Sequence, residues 1–125
     1  MRTKFKSAPG RTKYGKRHIP GVMNKTESEY ADILEQKRLA GEILAWRFER
    51  KTFKLGEDRC SYTPDMEVIR ADGSKEYIDV KGSGPVDDKS IVKIKVAADV
   101  WWEYDFAIVQ KQAKKAGGGW KRTDY

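Results

Sequence analysis

The chain is poor in the residues that build metal fingers and disulfide scaffolds. Among 125 residues there is one cysteine, Cys60, and one histidine, His18. A lone Cys forms no internal disulfide, and one Cys with one His does not complete a zinc site, so both architectures are excluded. No apolar run approaches the roughly 18 residues of a membrane span. The basic N-terminus lacks the apolar segment of a signal peptide, so secretion is not expected. Acid is missing where base is dense. Residues 1–26 hold eight basic groups, Arg2, Lys4, Lys6, Arg11, Lys13, Lys16, Arg17 and Lys25, and no Asp or Glu. The other 18 of the 26 basic residues face 19 acids, so the net charge of +7 resides in this arm. With Pro9, Gly10, Gly15, Pro20 and Gly21 and little to bury, residues 1–22 read as a flexible basic arm. Its natural partner is a polyanion, bound by releasing counterions from phosphates. A solubilising tail is the plainer alternative. No amphipathic apolar face accompanies the charge, which argues against a membrane surface.

What is present suits one compact domain with one core: four Trp, six Tyr and four Phe. Thr26-Glu27-Ser28-Glu29 has the form of a capping box, with Thr26 as N-cap and Glu29 at the third position. Tyr30, Ala31, Ile33, Leu34 and Leu39 supply an apolar stripe, and Gly41 is placed to end the helix. From Leu44 to Leu55 the residues alternate, with Leu44, Trp46 and Phe48 on one side and a bend expected near Arg50-Lys51. Two short strands follow, about 62–70 and 74–81, joined by Ala71-Asp72-Gly73. Gly82-Ser83-Gly84-Pro85 breaks the sheet. A second helix is predicted over 88–102 on the i+4 repeat of Val92, Val96 and Val100, then an apolar strand over 104–109. The stretch 112–125, with three glycines and more basic residues, reads as a loose tail. The predicted order is α-β-β-β-α-β, an α/β arrangement with a small mixed sheet flanked by helices.

Register decides which side chains of the hairpin share a face. A three-residue connection with Gly73 in the left-handed region pairs Arg70 with Ser74. Asp65 then falls opposite Asp79, and Thr63 opposite Lys81. One face carries Asp65, Glu67, Tyr77, Asp79 and Lys81; the other carries Met66, Val68, Ile78 and Val80, fit for a core. Two aspartates directly across a strand pair repel each other, and a cation between them removes the penalty. Mg²⁺ suits hard carboxylate oxygens. Lys81, two residues beyond Asp79, projects to the same face, placed to orient a water or to neutralise charge on a phosphate.

Pro64-Asp65, thirteen residues, then Asp79-Val80-Lys81 resembles the PD-(D/E)XK nuclease signature. The predicted element order is similar to the restriction-endonuclease-like core of that superfamily. Residues 23–111 resemble a family of small phage-encoded endonucleases similar to phage endonuclease I and Holliday-junction resolvases. Other acid-x-Lys triplets occur at Glu35-Gln36-Lys37, Glu49-Arg50-Lys51 and Asp87-Asp88-Lys89, but only Asp79-Val80-Lys81 ends an apolar strand paired to that of Asp65. The resemblance implies a Mg²⁺-dependent, structure-selective DNA endonuclease, with Mn²⁺ able to substitute and no other small-molecule cofactor. Asp65 and Asp79 match the metal-binding acids, Lys81 the motif lysine, and the Val80 carbonyl a further ligand. Glu27 matches the first-helix glutamate that joins the metal site, or else it merely complements the helix N-terminus. Lys93 and Lys95 match basic positions on the second helix, as DNA contacts beside the arm, and Gln110 a position at the end of the last strand. Paired cuts in branched DNA imply a homodimer, with Trp101-Trp102 as an interface. A phage origin implies the cytoplasm of a bacterial host. Nuclease action on linear duplex, flaps or replication intermediates remains an alternative, as does a non-catalytic nucleic-acid-binding module. Trp46, Trp101 and Trp102 read as core or dimer contacts, Trp120 as a base-stacking or disordered residue, and Glu67 as a solvated charge or a modulator of the metal.

Overall fold

The computed structural model describes residues 21–57 and 60–125; the basic residues from Arg2 to Arg17, and His18, lie outside the described residues. The elements run α1 (Lys25–Leu39), β1 (Ile43–Phe48), β2 (Phe53–Lys54), β3 (Ser61–Tyr62), β4 (Met66–Arg70), β5 (Lys75–Lys81), α2 (Asp88–Val100), β6 (Asp105–Lys111) and β7 (Trp120–Asp124), with a 3₁₀ turn at Lys114–Ala116. The fold is mixed α/β. Five strands form one sheet in the order β1-β4-β5-β6-β7, and β2 with β3 forms a separate ribbon. β5 and β6 are parallel, connected through α2; their neighbours in the sheet pair antiparallel. Among the described residues, no helix is long and apolar enough to cross a membrane.

Two apolar cores sandwich the sheet. Tyr30, Ala31 and Leu34 of α1 pack on Met66, Val68, Ile78, Val80 and Val109. On the other face Ile94 and Ala97 of α2 pack on Tyr77, Phe106 and Ile108, with Phe53 and Tyr62 of the ribbon. Phe53 is the hub of that second core, edge-on to Tyr77 at 4.7 Å, Phe106 at 5.2 Å and Trp101 at 5.3 Å. These are the tilted arrangements that aromatic quadrupoles favour.

Several expectations change. The capping box is Asn24 with Glu27, not Thr26 with Glu29: Asn24 Oδ1 accepts from Glu27 N–H at 2.8 Å, and Glu27 Oε1 accepts from Asn24 N–H at 2.9 Å. Asn is as good an N-cap as Ser or Asp, and the pattern fits two registers two residues apart. Glu29 instead meets Lys111 Nζ at 2.5 Å. Gly41 does end α1, at φ +79°. Leu39 and Leu44, expected inward, are 66% and 58% exposed; a register shift between Ile43 and Ala45 carries Leu44 out of the ladder. The strand expected over 44–55 is two strands in different sheets, separated at Glu49, whose φ of +47° turns the chain. The strand expected from Tyr62 likewise splits: Pro64 has no N–H to give a ladder, so β3 ends before it and β4 begins after it. In α2 the valine stripe faces outward, with Val92 at 58%, Val96 at 36% and Val100 at 47% exposure, while Ile94 and Ala97 are inaccessible. The expected loose tail is β7, paired with β6 from Lys111↔Trp120 to Ala107↔Asp124. Trp120 is therefore a core residue, edge-on to Tyr30 at 5.1 Å.

Candidate active site

The hairpin holds the expected register. Met66↔Ile78, Glu67↔Tyr77, Val68↔Glu76 and Ile69↔Lys75 are paired, and Gly73 sits at φ +89° in the turn. Continuing that register by one step sets Asp65 against Asp79. The backbone ladder ends there, and the two aspartates take over its hydrogen bonds: Asp65 N–H donates to Asp79 Oδ1 at 3.2 Å, and Val80 N–H donates to Asp65 Oδ2 at 2.8 Å. Each carboxylate is tied by one oxygen. Glu27 follows the same rule through its cap bond to Asn24.

Burial is what makes these acids unusual. Asp79 and Glu27 are each only 5% exposed, and Asp65 is half-buried. Desolvation is the chief cause that holds the Asp65 carboxyl well above its ordinary range; the charges of Asp79 and Glu27 push the same way, against the Val80 N–H and the Lys81 ammonium. Asp79 is raised too, first by burial and then by Glu27, with Lys81 and the Asp65 N–H opposing. Glu27 is the capping partner of α1, the role expected of Glu29, and its charge also acts on both aspartates. Lys81 is half-buried at the end of β5, and its Nζ donates to Ser90 Oγ of α2 at 3.2 Å. Ser90 N–H in turn donates to the Asp87 cap, so the first turn of α2 fixes the lysine. Gln110, paired with Lys81 across β5 and β6, donates from Nε2 to the Gly84 carbonyl and ties down the loop between β5 and α2.

The remaining predicted residues divide. Val80 has its side chain in the α1 core and its N–H on Asp65. Lys93 lies three residues from Ser90, hence on the neighbouring turn beside the site, and is half-buried. Lys95 is exposed, and helical spacing puts it on another flank. Lys25 is exposed at the first residue of α1. Glu67 is not a solvated charge: it is 5% exposed and accepts from Tyr77 Oη at 2.8 Å. Trp46 and Trp101 pack on the cores, donating to Glu35 and to the Lys54 carbonyl, whereas Trp102 is 79% exposed. Cys60 is exposed with a free thiol.

Sequence reasoning missed Tyr62. It is 6% exposed, and its hydroxyl is the single buried side-chain polar atom without a hydrogen bond among the described residues. Burial and the charges of Asp79 and Asp65 raise its pKa. The hydroxyl is close enough to Asp79 to favour that charge, yet completes no bond of normal geometry with it. Such an orphan costs about 1–3 kcal/mol. Counting alternation back from Met66 sends Tyr62 to the α1 face; the break at Pro64 sends it to the other.

These residues fit a divalent cation. Three carboxylates, Glu27 and Asp79 buried and Asp65 half-buried, each have one oxygen held by a backbone N–H and keep a second to offer, and an unsatisfied hydroxyl stands beside them. Hard oxygen donors of this kind are what Mg²⁺ takes. In the present arrangement the described residues include no group of three already gathered at ligating distances. The chain matches no protein-family model, no curated protein and no solved structure.

Proposed function

We propose that this chain is a Mg²⁺-dependent DNA endonuclease of the PD-(D/E)XK kind, phage-encoded and selective for branched DNA such as a four-way junction. The observation that carries the reading is the cross-strand pair of acids, Asp79 buried and Asp65 half-buried, followed by Lys81 on the strand of Asp79. A protein that binds a polyanion gains nothing from buried acids aimed at it unless a cation lies between. The junction preference and the phage origin rest on the resemblance alone.

In this reading Asp65 and Asp79 hold the cation, with Glu27 as third carboxylate and the Val80 carbonyl as a further donor. When bound, Mg²⁺ supplies Lewis-acid stabilisation of charge on the scissile phosphate. Lys81, anchored by Ser90, aims its ammonium at the attacking water and the phosphate and keeps them in line. The N-terminal arm, Lys25 and Lys93 grip phosphates without reading sequence. Paired cuts call for two copies of the chain; Val92, Val96, Val100 and Trp102 are exposed apolar residues available to join them.

The test is cleavage of a labelled four-way junction against matched linear duplex, in Mg²⁺ or EDTA. Mg²⁺-dependent paired cuts on the junction are expected. Equal cutting of both substrates keeps the nuclease and removes the junction preference. Tight, salt-sensitive binding with no metal-dependent cleavage replaces the enzyme with a binding module.

Tyr62 gives a separate check on the metal. Tyr62→Phe deletes a hydroxyl that makes no hydrogen bond, so the metal-free melting temperature is expected to stay the same or rise. If the hydroxyl orients Asp79 toward the cation, Mn²⁺ affinity falls about 10–100-fold, as is usual for a lost outer partner. Calorimetric titration with Mn²⁺ measures it, and a lowered metal-free melting temperature with unchanged affinity reduces Tyr62 to a packing residue.

A further inference from the structure

The register of the sheet extends the site sideways. Lys81 of β5 pairs with Gln110 of β6, and Gln110 pairs with Lys121 of β7. Laterally paired residues project from the same face, so these three form one row across the strand ends where the aspartate pair lies. α2 covers this face over β5 and β6, but Lys121 and Thr123 of the edge strand β7 are exposed. Beyond the row, residues 112–119 form a closed loop, with Gln112 N–H donating to the Gly119 carbonyl at 2.9 Å. Its last three residues, Gly117, Gly118 and Gly119, all have positive φ, a run that only glycine adopts without strain. The loop presents Lys114 and Lys115, both exposed.

The charge here is of one sign. Residues 111–122 contain five basic residues and no acid. Lys111 is committed to Glu29, and Arg122 to Glu76 and Asp124. Lys114, Lys115 and Lys121 have no carboxylate partner among the described residues. Strands lie about 4.8 Å apart, which puts the Lys121 backbone roughly 10 Å from that of Lys81. Phosphates recur every 3.4 Å or so of helix axis along one DNA strand. Because the backbone also turns about that axis, successive phosphates are farther apart through space than this rise, and a strand with its reacting phosphate at Lys81 brings a phosphate about one or two nucleotides away over Lys121.

We propose that Lys114, Lys115 and Lys121 form a ledge that carries the DNA backbone into the active site. The inference rests on the nuclease reading and adds to it a fixed contact surface distinct from the N-terminal arm and from α2. Lys121 sits on the sheet, and Lys114 and Lys115 on the closed loop before β7, so the ledge holds a fixed place relative to Asp79 and Lys81.

The experiment uses the full chain, a fluorescent duplex and a fluorescent four-way junction, in EDTA so that nothing is cut. Affinity is followed by anisotropy across a NaCl series for wild type, Lys114→Ala/Lys115→Ala/Lys121→Ala, and a control with the same charge loss elsewhere, Lys37→Ala/Lys54→Ala/Lys75→Ala. All six lysines are exposed, so both variants are expected to fold. Each lost phosphate contact lowers the slope of log K against log salt by about 0.9. The ledge variant is expected to lose about 2–3 from the slope and at least tenfold in affinity at low salt, and the control to keep the wild-type slope. An unchanged slope in the ledge variant overturns the ledge and leaves the nuclease reading standing. Equal losses in both variants overturn it too, since net charge alone would then govern. Absence of salt-dependent DNA binding by wild type overturns the nuclease reading itself.

Discussion

Asp79→Asn is expected to stabilise the metal-free protein while abolishing Mg²⁺-dependent cleavage. The two effects have one cause. Asp79 and Asp65 share one site; burial disfavours both charged forms first, the Asp79 charge also raises Asp65, and the Glu27 charge raises both. Asn keeps the Oδ1 that accepts from Asp65 N–H, and it offers an N–H₂ toward the other carboxyl in place of a charge. Relief of the repulsion is worth about 1–2 kcal/mol, or roughly 3–10 °C in melting temperature for a chain of this length. Losing one cation ligand removes several kcal/mol of charge stabilisation at the phosphate, a rate loss of about 10³ or more. The pH dependence separates this from an ordinary packing gain. Both folded-state pKa values lie above the unfolded value of 3.8. Protonation therefore favours the fold: the contribution is complete below that value and is lost as pH rises through the raised pKa values. In EDTA, wild type is expected to lose stability from pH 5 to pH 8, and Asp79→Asn to lose less. Melting curves at the two pH values, with and without Mg²⁺, decide it. A variant less stable than wild type at pH 8 in EDTA would show that no repulsion is stored at the pair.

Which parts of this were legible in the chain follows from how local each signal is. The hairpin register came from Ala71-Asp72-Gly73, because a turn with a left-handed glycine sets the pairing of everything beyond it, out to Asp65 and Asp79. Gly41 marked the end of α1 for the same reason. Where two readings have equal local merit, tertiary packing chose. The residues of α2 contain two stripes, and i+4 spacing does not say which faces in. The inner stripe is Ile94 and Ala97, since Tyr77, Phe106 and Ile108 already fill the space beneath and leave room for a small residue. Tyr62 was hidden because alternation was counted through Pro64, the residue that ends it. Glu27 was half legible: helical spacing turned it toward the sheet, while its capping role depended on Asn24, two residues outside the expected box. Composition misled for β7. Lysine, arginine and threonine facing outward are what an edge strand carries to avoid pairing with another molecule, and such residues read as a solvated tail.

That difference gives the second large effect. Truncation after Gly119 is expected to unfold the protein or leave it aggregating, whereas loss of a loose tail would leave the melting temperature unchanged. β7 contributes more than a ladder. Trp120 packs on Tyr30 and the α1 core, and removing a half-buried aromatic of this size costs about 2–4 kcal/mol. Arg122 and Arg70 together clamp Glu76, which is 8% exposed between them; with Arg122 gone, that carboxylate keeps one partner in a site that excludes water. Tyr125, just past the strand, donates its N–H to the Phe106 carbonyl and packs on the second core. The cut also turns β6, with Phe106, Ala107, Ile108 and Val109, into an uncovered apolar edge open to pairing with another copy. The sum reaches the whole stability of a small domain, about 5–15 kcal/mol. Trp120→Ala tests the same account more gently, with a loss of about 2–4 kcal/mol in urea unfolding and a folded, soluble protein. A truncated chain that melts at the wild-type temperature would return residues 120–125 to the status of a tail. It would also dissolve the ledge, because Lys121 reaches the row of Lys81 only through its pairing with Gln110.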